Sequence, residues 1–366
     1  MDQAAFRAQF PATAQWAWLD TPGSPPGATP VLDALSGTLR SWATGDFSWR
    51  DWDWAAEVGR ERFAEYAGVD AGRVSVLGSV AEGAATVAAG LPPGPIVVPD
   101  EEFRSNLFPW LALRPDRNPV VRVPSRDGYT HTEDLVAAIR PGTVLCAVSD
   151  TLTANGVRPD FAALRAATDE VGARLFVDAT QSFGVLRFDF DGIRPDHLAV
   201  HGYKWMLSPR GAAWMVTRPD RIAELAPLLP SWKSTAPPFG YFGGELDLPA
   251  DASRLDTSPA WFSWIGATAA IELLSQVDKA EAERHVIDLA SRWWEGAAEL
   301  GYRPVTPFQR THIAVVDIGD RDPERLRQRL DERHAKVQLA GSRLRIGVHY
   351  FNTVDDIDLV LEAMRP

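Results

Sequence analysis

Short apolar runs alternate with helix-periodic segments through the middle of the chain. PIVVPD (95–100), NPVVRVP (118–124), TVLCAVSD (143–150), RLFVDA (174–179), HLAVHG (197–202) and AAWMVT (212–217) are rich in β-branched residues and lack polar alternation. Runs of this kind predict strands covered on both faces. Between them, TEDLVAAI (132–139) reads as a helix that Thr132 opens in capping-box fashion. DFAALRAATDEVGA (160–173) carries an apolar stripe at helical spacing that stops at Gly172. Strand and helix in alternation predict βαβ units and an α/β fold with a mostly parallel sheet, whose ligands sit at the carboxyl ends of the strands.

After about Arg254 the texture changes. A long helical region (260–300) is followed by HIAVVDI (312–318), the helix DPERLRQRLDERH (322–334), the strand-like SRLRIGVHY (342–350) and a last helix, VDDIDLVLEAM (354–364). We therefore expect a large domain over 16–255, and a smaller α+β domain over 256–366 joined by 1–15. STAPPFGYFGG (234–244) reads as a loop or lid, because aromatics interleave its prolines and glycines.

Composition narrows the function. The 366 residues carry 37 basic and 49 acidic side chains, a net charge of −12. That balance argues against a nucleic-acid binder and against docking on anionic membranes. No apolar run reaches the length of a membrane span, and no secretory leader is visible. Cys146 is the single cysteine, so no internal disulfide can form, and a cytoplasmic setting is expected. No Cys/His spacing suits zinc.

Lysine is scarce: only Lys204, Lys233, Lys279 and Lys336 occur. Lys204 follows the strand HLAVHG, in HGYKWML, with apolar residues on either side. Apolar surroundings disfavour the ammonium and bring the amine nearer to a nucleophile able to form a Schiff base with an aldehyde. A lysine at an exposed strand end is the plain alternative. One strand–helix–strand step earlier, LFVDATQ puts Asp178 at another strand end, with Gln181 just beyond. Pyridoxal 5′-phosphate needs a carboxylate on its ring nitrogen, and Gln181 is placed for its 3-oxygen.

DATQSFG…HGYKWMLSPRG resembles the core of the class V aminotransferase family, the fold-type I enzymes that include cysteine desulfurases, kynureninases and isopenicillin N epimerase-like proteins. Further segments are similar in the same order: WLDTPGSPP (18–26), LGSVAEGAATVAAGL (77–91), PDEEFRSNLFPW (99–110), LDTSPAW (255–261) and LRIGVHYFNTVDDID (344–358). The resemblance implies a seven-stranded, mostly parallel sheet between helices, with a smaller C-terminal α+β domain and pyridoxal 5′-phosphate as cofactor. It makes Lys204 the Schiff-base lysine, Asp178 the partner of the ring nitrogen and Gln181 that of the 3-oxygen. Phe103 takes the ring-stacking position, where it supplies contact area but no acid–base group. The phosphate is expected on Ser79, Val80 and Ala81 at a helix amino end. Two hydroxyls are common there in the family; here backbone donors must carry more of the load, or other side chains must help. His201 and Tyr203 occupy further phosphate positions, and Asn106 and Asp150 are additional pocket candidates. Ser258 lies where the family has a threonine that reaches the neighbouring subunit's phosphate, which implies a homodimer. Arg345 matches the arginine that grips the substrate α-carboxylate. Arg343 lies two residues away, so strand alternation cannot separate the pair.

The substrate is accordingly an amino acid. Transamination is the leading expectation, with a lyase (β-elimination or kynureninase-like cleavage) or an epimerase as alternatives. The cysteine that desulfurases carry shortly before this arginine is missing from RHAKVQLAGSR (333–343), which argues against a persulfide-forming desulfurase. The Trp-rich DFSWRDWDW (46–54) either lines a pocket or forms a surface helix.

Overall fold

The computed structural model describes residues 1–235 and 240–365; positions 236–239, part of the loop or lid read from the sequence, lie outside them. A two-residue strand, β1 (Ala17–Trp18), precedes the main sheet. That sheet contains β2 (Val74–Leu77), β3 (Ile96–Pro99), β4 (Val120–Val123), β5 (Leu145–Ser149), β6 (Arg174–Asp178), β7 (His197–His201) and β8 (Ala213–Thr217), in the order β2-β8-β7-β6-β5-β3-β4. Pairing is parallel from β4 through β7, while β8 runs antiparallel to both its neighbours. β2 adds to the strands the sequence pattern predicts. The helices that follow the strands cover both faces. Cys146, Val148, Leu175, Val177 and Leu198 feed one core cluster, and Leu145, Ala147, Phe176 and Ala199 feed another. Period-two alternation thus delivers apolar side chains to both sides, which is why these strands read as unbroken apolar runs.

Local signals set the helix ends. Asp160 caps Phe161–Val171 by accepting from the Ala163 amide at 3.1 Å, and Gly172 ends it in the left-handed region at φ 70°. Thr132 does not cap its own helix, Thr132–Ala138; its Oγ1 accepts instead from the Asp160 amide at 3.0 Å and so joins two helices. The long helical region divides into Trp261–Leu274 and Lys279–Glu299, because Asp278 starts a new amino terminus by accepting from Glu281 N. Trp261–Leu274 packs on the helices Thr29–Thr44 and Trp49–Ala67, with Trp264, Ala267 and Ile271 in the same core as the main sheet.

The rest of the C-terminal part holds β9 (Arg303–Pro304), β10 (Ile313–Asp317), β11 (Ala335–Lys336), β12 (Gln338–Ala340) and β13 (Arg343–Gly347). β12, β13, β10 and β9 form an antiparallel sheet with its own core, which also takes in Leu19, Val185 and Trp205. β1 pairs parallel with β11, and Asp20 bridges to Gly347. The start of the chain is thereby laid against β13, which brings Asp20 beside Arg345.

Candidate functional site

A cavity opens at the carboxyl ends of the main-sheet strands. β2 leads into Ser79, Val80 and Ala81, β3 into Phe103, β5 ends at Ser149, β6 at Asp178 and β7 at His201; all of these residues line it. Thr180, Gln181, Tyr203 and Lys204 complete its floor and walls, with Thr153, Ser105 and Arg210.

Lys204 is 4% exposed and lies in the loop that joins β7 to the antiparallel β8. Its Nζ sits 5.1 Å from the Phe103 ring centroid and 5.5 Å from that of Tyr203. Burial brings its pKa down to about 8, against an opposing pull from Asp178. Asp178, equally buried, accepts from the Thr180 amide at 2.9 Å, and burial raises its carboxyl above the usual range. The Thr180 hydroxyl in turn accepts from the His201 amide at 3.0 Å, so the ends of β6 and β7 are locked together.

Gln181 is oriented by a residue that the sequence reading missed. Trp205, fully buried, donates its indole N–H to Gln181 Oε1 at 2.8 Å. An indole can only donate, so the amide oxygen must face it. The Gln181 NH₂ is left toward the cavity, bonded to Thr153 Oγ1 at 2.9 Å and more loosely to the Pro22 carbonyl at 3.3 Å. Trp205 is itself packed against His312 and His349, and His349 Nε2 lies 3.1 Å from its carbonyl. The clue in the sequence is a tryptophan next to the single lysine that follows a buried strand.

Glu102 was also missed. It is 5% exposed, and its carboxylate accepts from Phe103 N at 2.7 Å, Ser149 N at 2.7 Å and Ser149 Oγ at 2.6 Å. It thus holds the Phe103 segment against the end of β5. Burial, with a further push from Asp178, brings its pKa up to about 7. An acid directly after a predicted strand reads as surface, and only the closed loop shows otherwise.

Other expected residues lie elsewhere. Asn106 is fully buried, accepts from Trp110 Nε1 at 3.4 Å and does not line the cavity. Asp150, 2% exposed, faces Arg158 at 3.5 Å; its amide bonds to the Asp178 carbonyl, so it braces β6 from outside the cavity. Ser258 is exposed and also lies outside. Of the Trp-rich segment, Trp52 is buried while Trp49 and Trp54 are exposed on the helix Trp49–Ala67, and none lines the cavity. Arg345 is 8% exposed and adjoins the cavity through Thr153, whose carbonyl accepts from its Nη1 at 2.9 Å. Its Nη2 is 3.5 Å from Asp20, and its Nε, though buried, has no partner. Arg343, at the strand's start, is exposed.

A model of the aminotransferase class-V family matches residues 18–360. The chain belongs to that family. A probable cysteine desulfurase of Methanothermobacter thermautotrophicus is 26% identical, over 83% of this chain and 82% of that protein. An isopenicillin N epimerase of Streptomyces clavuligerus is 28% identical, over 83% and 82%. Among solved structures, the cystine C–S lyase C-DES, in complex with its product cysteine persulfide, shares the fold: TM-score 0.87 at 21% identity, over 98% of this chain and all of that one. The fold-type I architecture and the class V membership expected from sequence are those observed, and pyridoxal 5′-phosphate is the cofactor.

The leading expectation of transamination, and the exclusion of desulfurase chemistry, are corrected by the same findings, since desulfurases stand among the curated relatives and the solved neighbours. The physical reason lies in what the missing cysteine tests. Cys146 is fully buried in β5, its thiol pushed up to about 12, and 333–343 holds no other thiol. Those facts concern what receives sulfur, and they leave open whether a C–S bond is broken.

The cavity fits the cofactor chemically. It offers a buried amine of lowered pKa, a buried carboxylate, an aromatic face, and a buried imidazole whose Nε2 has no hydrogen-bond partner. Capture of pyridoxal phosphate by the apo-protein is expected to quicken about tenfold per pH unit up to pH 8 and to level off above it, because only the neutral amine attacks. Growth of visible absorbance after mixing measures this. A rate still climbing at pH 10 would mean an ordinary lysine.

Proposed function

We propose that this protein is a pyridoxal-phosphate-dependent lyase that breaks the Cβ–S bond of a cysteine- or cystine-type amino acid. The observation that carries the reading is a cavity with one mobile proton carrier, Lys204, set beside the Phe103 ring. Inversion at Cα calls for a second acid–base group on the opposite face of the cofactor, and phenylalanine offers none. His201 is held neutral, its pKa brought down to about 4 by burial, and burial raises Tyr203. The desulfurase relative and the cystine C–S lyase with which the chain shares its fold add support.

In this reading each residue has a defined task. Arg345 holds the α-carboxylate through the fork that Nε and Nη2 present, a planar match to two oxygens. Lys204 Nζ accepts the proton from Cα. The Cβ–S bond then breaks, and its electron pair leaves with sulfur. With the cofactor bound, Asp178 would hold its ring nitrogen, Gln181 would donate to its 3-oxygen, and Phe103 would cover its face. When bound, the cofactor supplies an electron sink for the Cα electrons. The three-carbon remainder hydrolyses to pyruvate and ammonia.

The active unit in this reading is a homodimer. Ser258 is exposed and outside its own chain's cavity, and Trp42, Trp49, Trp54 and Phe108 form apolar surface that a second copy would cover. A cytoplasmic setting agrees with a lone buried cysteine; no helix among the described residues is long and apolar enough to cross a membrane.

The test is the holoenzyme with cystine, cysteine or S-methylcysteine and no added keto acid. Pyruvate and ammonia should accumulate in equal amounts over many turnovers. If the substrate instead yields only one equivalent of its own keto acid per active site, the lyase reading fails.

A further inference from the structure

The helix Val80–Ala89 points its amino end into the cavity but brings no side-chain hydroxyl from its first turn. Val80 and Ala81 have none to give, and Ser79, the cap, accepts from Glu82 N at 3.3 Å and keeps a single O–H to donate. Glu82 adds a negative charge in the same turn, with its carboxylate accepting from Gly78 N at 2.7 Å. A helix of this kind supplies amides and a dipole to a dianion, and little else. Two phosphate oxygens at full charge need more.

Arg210 stands across the same cavity. It lines the wall with Ser79, Val80, Ala81, His201 and Tyr203, and its guanidinium carbon lies 4.8 Å from the Tyr203 ring centroid. Among the described residues no carboxylate pairs with it. Its backbone is fixed: the Arg210 carbonyl accepts from Ser263 Oγ at 2.7 Å, and Gly211 follows at φ 110°, where a Cβ would meet that same oxygen at 2.8 Å. The neighbouring His201 Nε2 is buried with no partner, and it too faces this wall. A guanidinium that meets Tyr203 but no carboxylate among the described residues, and an imidazole nitrogen without a partner, thus flank a helix terminus whose one hydroxyl is that of Ser79.

We propose that Arg210 is the principal side-chain ligand of the cofactor phosphate, taking the load that hydroxyls at positions 80 and 81 would have carried. A guanidinium offers charge and two parallel N–H donors, which suits phosphate better than a single hydroxyl. The inference rests on the cofactor alone and is independent of which bond the enzyme breaks.

The experiment compares two aldehydes that differ only in the phosphate. Apo-protein is titrated with pyridoxal phosphate and, separately, with pyridoxal, and quenching of tryptophan fluorescence gives each affinity. Arg210→Gln should weaken pyridoxal phosphate at least tenfold and leave pyridoxal within twofold; Arg210→Lys should lie between. Equal losses for both aldehydes would make Arg210 a structural residue and overturn the proposal, as would no loss for either. Unchanged cofactor affinity with a raised KM would assign Arg210 to the substrate and overturn it equally. Should Arg210→Gln not fold, the ratio of the two affinities in Arg210→Lys decides: a several-fold fall supports the assignment, and an unchanged ratio ends it.

Discussion

Lys204→Ala is expected to lower kcat by about a thousandfold or more, since in the proposed function one substitution removes both the covalent anchor and the proton carrier. No neighbour can take over. His201 is neutral but sits toward the phosphate wall, and the other three lysines lie outside the cavity. A second signature separates this from simple misfolding. Borohydride should fix the cofactor's mass onto wild-type protein and not onto the variant, which nevertheless should still bind pyridoxal phosphate through its phosphate. Covalent fixation in Lys204→Ala would mean that a different amine holds the cofactor.

Asp178→Asn is expected to lower kcat by about a hundredfold to a thousandfold, the scale of losing one aimed charge in a water-poor site. Asparagine preserves the shape and can still accept from the Thr180 amide, so β6 and β7 should stay locked. What disappears is the negative charge that, in the role proposed for Asp178, would keep the ring nitrogen protonated. KM should change little, because the proposed function gives the substrate carboxylate to Arg345 and not to Asp178. Steady-state kinetics with a single amino acid, alongside the cofactor's absorption maximum, resolves the two. A kcat within threefold of wild type would remove Asp178 from the role proposed for it.

The main sheet was legible because its strands are buried on both faces and so carry no polar alternation to confuse them with surface strands or helices, apart from the edge strand β4, whose Val121 and Arg122 are exposed against that expectation. β2 was not, since four residues in VSVL give too short a run to stand out. That Lys204 and Asp178 share one cavity was legible because scarcity and strand-end position single them out. Glu102, Trp205 and Arg210 were not, for three different reasons. An acid beside a strand looks solvated until a loop folds over it. A tryptophan in a chain with fourteen of them attracts no notice. An arginine six residues after the lysine reveals its aim only when the turn at Gly211 is seen. Asn106 and Asp150 erred in the opposite sense: they lie next to cavity residues in sequence, but their side chains turn to Trp110 and Arg158.

The antiparallel strand β8 has a consequence for how this site can diversify. Because β7 and β8 are adjacent, the lysine segment between them is a closed hairpin rather than an open crossover, sealed where Gly202 N bonds to the Ala212 carbonyl at 2.9 Å. An insertion or deletion there that slipped β8 by one place would exchange the side chains it sends to the two cores, Trp214 and Val216 on one side and Ala213 and Met215 on the other. The lysine segment is therefore held at its length by the two strands that close it. Tyr203 and Arg210, which line the cavity from this segment, can change without altering that closure, whereas Trp205 is fixed by the core it fills.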